Sequence, residues 1–132
     1  MTIIESAYEM AKEARKNSYS PYSKFKVGAA VILKNKNIYT GCNIENASFG
    51  ATVCAERVAI WKAISIEPKS VFTDIVLITD PVAVPCAFCL QVFSEFCSPY
   101  FKIHLSDKQG IQECISFKEL LPSPFNPDAL PK

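Results

Sequence analysis

The stretches Cys54-Ala55-Glu56 and Pro85-Cys86-Ala87-Phe88-Cys89-Leu90-Gln91 organise the whole chain of 132 residues. They contain three cysteines, two of them in a C-x-x-C spacing, which can supply three thiolates to one zinc ion. Zinc favours sulfur ligands and tetrahedral coordination, so three protein ligands leave a fourth position for water. Zinc also lowers the pKa of a bound water towards neutrality. The pattern therefore predicts a zinc site with one open position.

Glu56, two residues after Cys54, favours a catalytic zinc site over a structural one. A closed structural site normally has a fourth protein ligand and does not need a free carboxylate nearby. A carboxylate beside a zinc-bound water is well placed to take its proton and deliver it elsewhere. A structural zinc site and a redox C-x-x-C remain as alternatives. The redox alternative leaves both Cys54 and Glu56 unexplained.

Composition limits the possible partners. The 14 basic and 13 acidic side chains give a net charge of +1, so nothing predicts binding to nucleic acid. Hydrophobic residues make up 49% of the chain, and part of that apolar surplus is available for subunit interfaces. No run approaches the roughly 18 apolar residues that span a bilayer. Acidic residues near the N-terminus argue against a signal peptide. We expect a cytoplasmic protein with reduced thiols and no membrane contact.

The first half of the chain predicts a helix followed by two strands. Thr2-x-x-Glu5 is a capping-box pattern, and apolar residues at helical spacing predict a helix that ends near Arg15. Phe25–Leu33 is almost continuously apolar, which predicts a strand covered on both faces. Ile38–Ile44 follows a turn over residues 34–37 as its antiparallel neighbour. The small residues at 28–30 allow a close approach by another element.

The zinc motif falls at the start of two predicted helices. The first covers Val53–Ser65 and is apolar nearly all round, and the second runs from about Cys86 to Phe96. Thr73–Thr79 lies between them as a central, parallel-type strand. Free N–H groups and the helix dipole at a helix start stabilise thiolates. Two helix N-termini are therefore expected to converge on one metal.

The remaining elements complete an α/β domain. Residues 102–105 and 111–116 alternate around a turn and predict a hairpin. A short helix over residues 117–121 and a proline-rich, non-helical tail follow. There are no internal repeats and no linker, so we expect one domain over residues 1–132. The order α-β-β-α-β-α-β-β implies one largely buried sheet with helices against it.

Several other polar residues have structural explanations. Asn43 and Glu45 end the second strand, where a solvated loop explains them as well as a binding role does. Cys42, Cys97 and Cys114 are expected to be buried as small hydrophobic residues, although they could act as ligands. His104, the sole histidine, is expected to be structural.

The chain resembles the small homotetrameric cytidine deaminases of the zinc-dependent nucleoside deaminase superfamily. The resemblance runs nearly end to end and rests on an ordered set of motifs, which is far more specific than a C-x-x-C alone. The matching segments are Ser20-Pro21-Tyr22-Ser23-x-Phe25-x-Val27-Gly28-Ala29-Ala30, Gly41-Cys42-Asn43-Ile44-Glu45-Asn46-Ala47-Ser48, Cys54-Ala55-Glu56-Arg57, Pro85-Cys86-x-x-Cys89 and Leu120-Leu121-Pro122-x-x-Phe125.

The resemblance implies a three-layer α/β/α sandwich with a five-stranded mixed sheet. It implies hydrolytic deamination of cytidine or deoxycytidine in pyrimidine salvage, with one zinc per subunit and a homotetramer that shares its active sites. By resemblance, Cys54, Cys86 and Cys89 hold zinc, Glu56 shuttles protons, and Arg57 offsets the negative charge of the thiolates. The resemblance also implies that Phe25 packs on the pyrimidine, that Asn43 and Glu45 bind the ribose, and that backbone groups around Ala47 and Ala55 lie near the ribose and base. Phe125 is implied to reach a neighbouring subunit's site.

One position departs from the family pattern. The family usually has arginine after the last zinc cysteine, whereas this chain has Leu90. Three thiolates on Zn²⁺ leave a net charge of −1, which family enzymes offset with arginine hydrogen bonds, so the departure bears on catalytic strength. Three alternatives stay open: a deaminase for a modified cytosine nucleoside of the blasticidin type, a deaminase that edits nucleic acid, and a weakly active or non-catalytic zinc-binding homologue.

Overall fold

The computed structural model describes residues 1–131, so the last position of the expected domain lies outside the described residues. These residues form four α-helices and five strands. Their bounds are α1 Ile3–Arg15, β1 Gly28–Leu33, β2 Ile38–Cys42, α2 Ala55–Ile66, β3 Phe72–Ile78, α3 Ala87–Phe96, β4 Lys102–Asp107, β5 Gly110–Ser116 and α4 Phe117–Leu120. Short 3₁₀ turns cover Phe49–Ala51 and Pro127–Ala129.

The strands form one mixed sheet in the order β2-β1-β3-β4-β5. β1 pairs antiparallel with β2 and with β3, whereas β3 pairs parallel with β4, and β4 and β5 form an antiparallel hairpin. The five-stranded mixed sheet is confirmed. The parallel character predicted for β3 holds only on its β4 side.

Helices cover both faces of the sheet, which confirms the three-layer sandwich. On one face α1 buries Ala7 and Ala11 against a cluster that includes Ala30, Ile32 and Val76. On the other face α2 and α3 pack against the alternate residues of the same strands. The six residues of β1 are all buried, as a strand covered on both faces requires.

Two glycines allow helices to lie directly on the strands. A Cβ atom at Gly28 would come within 2.2 Å of the backbone oxygen of Ala11 in α1. A Cβ atom at Gly41 would come within 2.5 Å of the backbone oxygen of Ala55 and 2.7 Å of the backbone nitrogen of Ala59. Both distances are far inside van der Waals contact, so any side chain at these positions would displace α1 or α2.

The N-terminal helix begins as predicted. The hydroxyl of Thr2 accepts the backbone N–H of Glu5 at 3.1 Å, and the Glu5 carboxylate accepts the backbone N–H of Thr2 at 2.8 Å. This reciprocal pair satisfies two N–H groups that the first helical turn leaves free. Within residues 1–131, no helix is long and apolar enough to cross a membrane.

The structure corrects several element bounds. β1 begins at Gly28 and not at Phe25, because residues 20–25 form a turn that ends in an exposed Phe25. β2 ends at Cys42, two residues earlier than expected. The tail contains one 3₁₀ turn over Pro127–Ala129, where Asn126 accepts the N–H of Asp128. α2 is not buried on all sides, because Trp61 in this helix exposes 47% of its surface.

The structure bears out the expectations for His104 and for only some of the cysteines outside the zinc motif. His104 is 8% exposed, and its Nε2 atom lies 2.8 Å from Oδ2 of Asp74, which supports a structural role. Cys42 and Cys97 are partly buried. Cys114 is exposed on the edge strand β5, so the expectation of a buried cysteine is wrong there. β5 has a neighbouring strand on one side only, and its residues 111–114 are all exposed.

Candidate metal centre

The structure brings three thiols together at two helix starts. Cys54 is the N-cap residue of α2, Cys86 is the N-cap residue of α3, and Cys89 lies in the first turn of α3. The Sγ atom of Cys86 lies 3.6 Å from Sγ of Cys54 and 3.6 Å from Sγ of Cys89. Tetrahedral zinc with Zn–S bonds of about 2.3 Å would separate its sulfur ligands by about 3.8 Å. The spacing of the three sulfur atoms therefore fits zinc.

The chemistry of the three thiols also fits a divalent cation. A hydrogen bond from Cys89 and the Arg57 guanidinium, acting against burial, lower the pKa of Cys54 to about 5. The pKa of the Cys89 thiol is raised, because it donates to Cys54 and is buried beside other negative groups. The three thiols therefore lie close enough to affect one another's ionisation. Within residues 1–131 they are the only group of three or more His, Cys, Asp or Glu side chains arranged to hold a metal ion.

Arg57 is the cationic group beside the thiols. Its Nη2 atom donates to Sγ of Cys54 at 3.4 Å, and its guanidinium carbon lies 5.8 Å from the ring centroids of Trp61 and of Phe88. The buried Nε atom of Arg57 has no hydrogen-bond partner within the described residues. Leu90, which follows Cys89, is partly buried and packs against the hydrophobic core. Leu90 therefore contributes apolar packing at the position where an arginine would contribute a second positive charge.

Glu56 is buried beside the thiols and is not one of the grouped sulfur ligands. It lies in the first turn of α2 and is 4% exposed. Burial raises the pKa of the Glu56 carboxyl to about 7, with a further contribution from the negative charge of Cys54. A carboxyl group in this environment can exchange protons near neutral pH. A group that carries protons beside a zinc-bound water needs this property.

A cavity of about 260 Å³ borders the thiols and Glu56. Its lining residues come from the loop before β1, from the ends of β2 and β3 and from the starts of α2 and α3: Ser23, Phe25, Val27, Asn43, Glu45, Thr52, Val53, Cys54, Glu56, Leu77, Thr79, Ala83, Val84 and Cys86. Phe25, Asn43 and Glu45 thus share one cavity with Cys54, Cys86 and Glu56. Ala47, Ala55 and Phe125 do not line it within residues 1–131.

Asn43 is not part of a solvated loop. It is 8% exposed, and its Oδ1 atom accepts the backbone N–H of Val27 at 3.0 Å and the hydroxyl of Ser18. Its Nδ2 atom donates to the backbone oxygen of Phe25 at 2.7 Å. The amide thus joins the end of β2 to the segment that carries Phe25. A purely solvated interpretation of Asn43 is wrong.

Glu45 is held by the segment before β1. Its Oε1 atom accepts the backbone N–H groups of Tyr22 and Ser23 at 3.0 and 3.1 Å, and its Oε2 atom accepts the hydroxyl of Ser23. These hydrogen bonds, that from the Ser23 hydroxyl first, lower the pKa of the Glu45 carboxyl. The side chain is therefore a carboxylate at neutral pH, and it is fixed at the rim of the cavity.

Phe125 lies away from the cavity of its own chain. Its side chain is 58% exposed, and its backbone oxygen accepts Nε2 of Gln91 at 3.0 Å and Oγ of Ser94 at 3.3 Å. Both partners belong to α3, which also carries Cys89. The tail is therefore attached to α3, the helix that carries Cys89, while its aromatic side chain faces solvent.

Two residues of the site were missed in the sequence analysis as individual positions. Thr79 is 3% exposed at the end of β3, and its hydroxyl accepts the backbone N–H of Ala83 at 2.9 Å. Its signal in the sequence was a polar residue directly after an apolar strand, which is where ligands often meet a sheet. Ser23 was noted only as one letter of a motif, and no local pattern indicates its bonds to Glu45.

Comparisons with known proteins agree with this geometry. A family model described as the cytidine and deoxycytidylate deaminase zinc-binding region matches residues 1–104. A cytidine deaminase of Sporosarcina psychrophila is 40% identical over 130 residues, which cover 96% of this chain and 94% of that protein. A cytidine deaminase of Halalkalibacterium halodurans is 43% identical over 116 residues, which cover 87% of this chain and 88% of that protein.

The fold agrees as well. The crystal structure of a cytidine deaminase from Burkholderia pseudomallei matches with a TM-score of 0.86 at 38% identity, covering 95% of this chain and 100% of that one. The family model includes the three grouped thiols and the buried Glu56 in its matched region. Sequence, fold and site therefore lead to one conclusion: this chain belongs to the cytidine and deoxycytidylate deaminase family with a zinc-binding region.

Proposed function

We propose that the protein is a zinc-dependent cytidine deaminase, which converts cytidine and deoxycytidine with water to uridine and deoxyuridine and releases ammonia. One observation carries this proposal: a buried carboxylate, Glu56, lies beside three converging thiols in a cavity that also contains an aromatic ring and two polar side chains. The curated relatives at 40% and 43% identity are both named cytidine deaminases.

Cys54, Cys86 and Cys89 would hold one zinc ion per subunit. When bound, zinc supplies a Lewis acid that makes water a competent nucleophile near neutral pH. Cys54 and Cys86 are N-cap residues and Cys89 lies in the first turn of α3, so the helix dipoles favour the thiolate form of these groups. Arg57 donates to Cys54 and offsets part of the negative charge of three thiolates.

Glu56 would carry the protons of the reaction. Its buried carboxylate would take a proton from the attacking water and deliver it to ring nitrogen N3 of the cytosine. It would then transfer the second proton of that water to the amino group that leaves C4 as ammonia. The water oxygen becomes the carbonyl oxygen of the uridine product, so atoms and protons balance. Burial keeps competing water away from the carboxylate while it exchanges these protons.

Phe25, Asn43 and Glu45 would recognise the nucleoside. The ring of Phe25 is 37% exposed and borders the cavity, where it can pack on a pyrimidine. Asn43 and Glu45 lie on the same cavity and offer an amide and a carboxylate to the sugar hydroxyls. Backbone groups near Ala47 and Ala55 would complete the contacts to ribose and base.

We infer a homotetramer with shared active sites. Trp61, Phe88 and Phe125 expose 47%, 73% and 58% of their surfaces, which is costly for an isolated subunit. The aromatic rings of Trp61 and Phe88 flank Arg57, so this apolar surface adjoins the metal centre. Phe125, on a tail attached to α3, can reach a cavity on another subunit.

Light scattering and activity measurements test the shared site. Phe125→Ala should lower kcat/KM by roughly ten-fold, because one wall of a neighbouring cavity would be lost. Leu130→Ala, which also removes an exposed apolar side chain from the tail, is the matched control. A fully active wild-type monomer would contradict the tetramer with shared sites.

The domain and its compartment complete the proposal. Residues 1–132 would form one catalytic domain, in which every site element described above belongs to a single sheet and its helices. The six cysteines are free thiols, and three of them serve as metal ligands only when reduced. A reducing compartment such as the cytoplasm suits this chemistry.

An ammonia-release assay tests the proposed function. The zinc-loaded protein should deaminate cytidine and deoxycytidine, with no activity on single-stranded DNA or tRNA, in keeping with a net charge of +1. Blasticidin S is included as the modified cytosine nucleoside. Activity on blasticidin S or on nucleic acid without activity on cytidine would move the protein to another class of deaminase. A zinc-loaded protein that releases no ammonia from any compound would be a non-catalytic homologue.

A further inference from the structure

The hydroxyl of Ser23 links the two residues proposed to bind the sugar and the base. Its Oγ atom donates to Oε2 of Glu45 and accepts the backbone N–H of Phe25 at 3.0 Å. The backbone N–H of Ser23 donates to Oε1 of Glu45 at 3.1 Å, beside the N–H of Tyr22 at 3.0 Å. Ser23 therefore makes three hydrogen bonds, which join Glu45 to Phe25.

The backbone around Ser23 adopts an unusual conformation. Lys24 has φ 61°, in the left-handed region, which is unfavourable for a residue other than glycine. The N–H of Lys24 donates to the backbone oxygen of Ser20 at 3.0 Å. This turn brings the N–H of Phe25 back onto the Ser23 hydroxyl. Strain of this kind persists where surrounding contacts impose it, and here the Glu45 carboxylate provides those contacts.

Hydrogen bonds within the protein determine which donor and acceptor positions of Asn43 and Glu45 remain for a ligand. Both acceptor positions of the Asn43 oxygen are used, by Val27 and Ser18, and one of its two N–H groups is used by Phe25. Of about four acceptor positions on the Glu45 carboxylate, three are used. One donor and one acceptor remain. Both residues line the cavity, and a sugar hydroxyl, which can both accept and donate, has the chemistry to use these two positions.

We propose that Ser23 is a positioning residue: its hydroxyl holds the Glu45 carboxylate in the orientation in which that carboxylate binds a sugar hydroxyl of the nucleoside. The inference rests on the proposed function. Ser23 is exposed and lines the cavity, so truncation of its side chain leaves the buried core intact. Its effect is therefore on substrate recognition and not on folding.

The experiment compares kcat/KM for cytidine with kcat/KM for 2′,3′-dideoxycytidine, which lacks both secondary hydroxyls. Ser23→Ala should lose roughly ten-fold or more on cytidine, the usual scale of a hydrogen bond to a charged group, and less than about two-fold on the dideoxy compound. Ser23→Thr keeps the hydroxyl and should retain most activity. Ser65→Ala removes a hydroxyl that hydrogen-bonds to Lys62 in α2, and it serves as the control.

A double-mutant cycle with Glu45→Ala identifies the residue through which Ser23 acts. In that background Ser23→Ala should change cytidine turnover by less than about two-fold, because the carboxylate it orients is gone. Equal losses on both substrates, or losses that add fully in the double variant, would overturn the proposal. So would a Ser23→Ala protein that unfolds at a clearly lower temperature. Absence of turnover in the wild-type protein would instead contradict the proposed function itself.

Discussion

Nη2 of Arg57 donates to Sγ of Cys54 at 3.4 Å, and the two residues lie three positions apart at the start of α2. The guanidinium carbon also lies 5.8 Å from the ring centroids of Trp61 and of Phe88, within the range of cation–π attraction. It therefore supplies positive charge to the thiol cluster from a fixed position. Because Leu90 supplies none, Arg57 is expected to carry much of this compensation.

Arg57→Gln should weaken zinc binding and lower kcat by roughly ten-fold or more, since a charge-assisted hydrogen bond to a thiolate is lost. Competition with a chelator and steady-state kinetics measure the two effects. Arg15→Gln is the matched control, because its guanidinium donates to the backbone oxygen of Lys26, away from the thiols. Equal zinc affinity in the Arg57→Gln and wild-type proteins would mean that the thiolates are balanced by other groups.

Cys54→Ala should remove the zinc and reduce the stability of the fold. Cys54 belongs to α2, whereas Cys86 and Cys89 belong to the start of α3, so the metal joins two helices. Elemental analysis of the purified wild-type protein should give about one zinc per chain, and thermal unfolding should show a lower midpoint for the variant. Cys114→Ala, at an exposed site on β5, should change neither quantity. Unchanged zinc content in Cys54→Ala would show that the thiol cluster is not the metal site.

Glu56→Gln should keep zinc and fold but lose roughly 10²–10⁴-fold in kcat, the usual contribution of general acid–base catalysis. The amide has nearly the same shape as the buried carboxyl but cannot carry a proton through the reaction. Zinc content and circular dichroism provide the controls on the same sample. If the variant loses its metal and keeps its turnover per remaining zinc, Glu56 is a ligand or a scaffold residue.

Leu90→Arg should destabilise the protein by about 1–3 kcal/mol, because Leu90 packs against the core and a guanidinium there must be desolvated. Leu90→Met, which nearly conserves volume, should cost less than about 1.5 kcal/mol. Denaturant unfolding measures both variants. An arginine variant that is as stable as the parent, with a pH–rate profile moved to lower pH, would show that position 90 has room for a second cation beside the thiolates.

Asp74→Asn should lower the free energy of unfolding by about 1 kcal/mol at pH 6. Burial opposes the charged form of Asp74, but hydrogen bonds with His104 and Thr73 and the nearby charge of Lys102 outweigh it and lower the pKa of the carboxyl. A lowered pKa gives stability above the unfolded-state value of about 3.9, and that stability is lost as pH falls through the lower folded-state value. The difference in the free energy of unfolding between the two proteins should therefore vanish near pH 2 in denaturant titrations.

A constant difference down to pH 2 would mean that the charge of Asp74 is unimportant. Asp128→Asn in the exposed tail is the control.

Much of the fold and the metal ligands could be predicted because their signals are local. The spacing of Cys86 and Cys89 places two sulfur atoms on one side of a helix start. The apolar run that ends at Leu33 indicates a strand covered on both faces. Such patterns need only a few adjacent residues, and the resemblance to known deaminases supplied the five-stranded mixed sheet and its three layers.

What could not be predicted depends on contacts between distant residues. The bonds of Asn43 to Val27 and Phe25 join positions 16 and 18 residues apart, and no periodicity encodes them. Exposure of Cys114 follows from its place on an uncovered edge strand, which depends on how all five strands are ordered. The mixed pairing of β3 has the same origin.

The missing side chain at Gly41 has a consequence for how this chain can change over evolutionary time. The first turn of α2, which carries Glu56, lies against the bare backbone of β2 at this point. A substitution even to alanine would push that turn outward and carry Cys54 away from Cys86. Gly41 itself does not line the cavity, yet a substitution there is expected to be selected against. The alignment of the reacting groups therefore depends on glycine, the smallest residue, at position 41. A designer who moves this site to another scaffold must keep a glycine at the equivalent strand position together with the ligands.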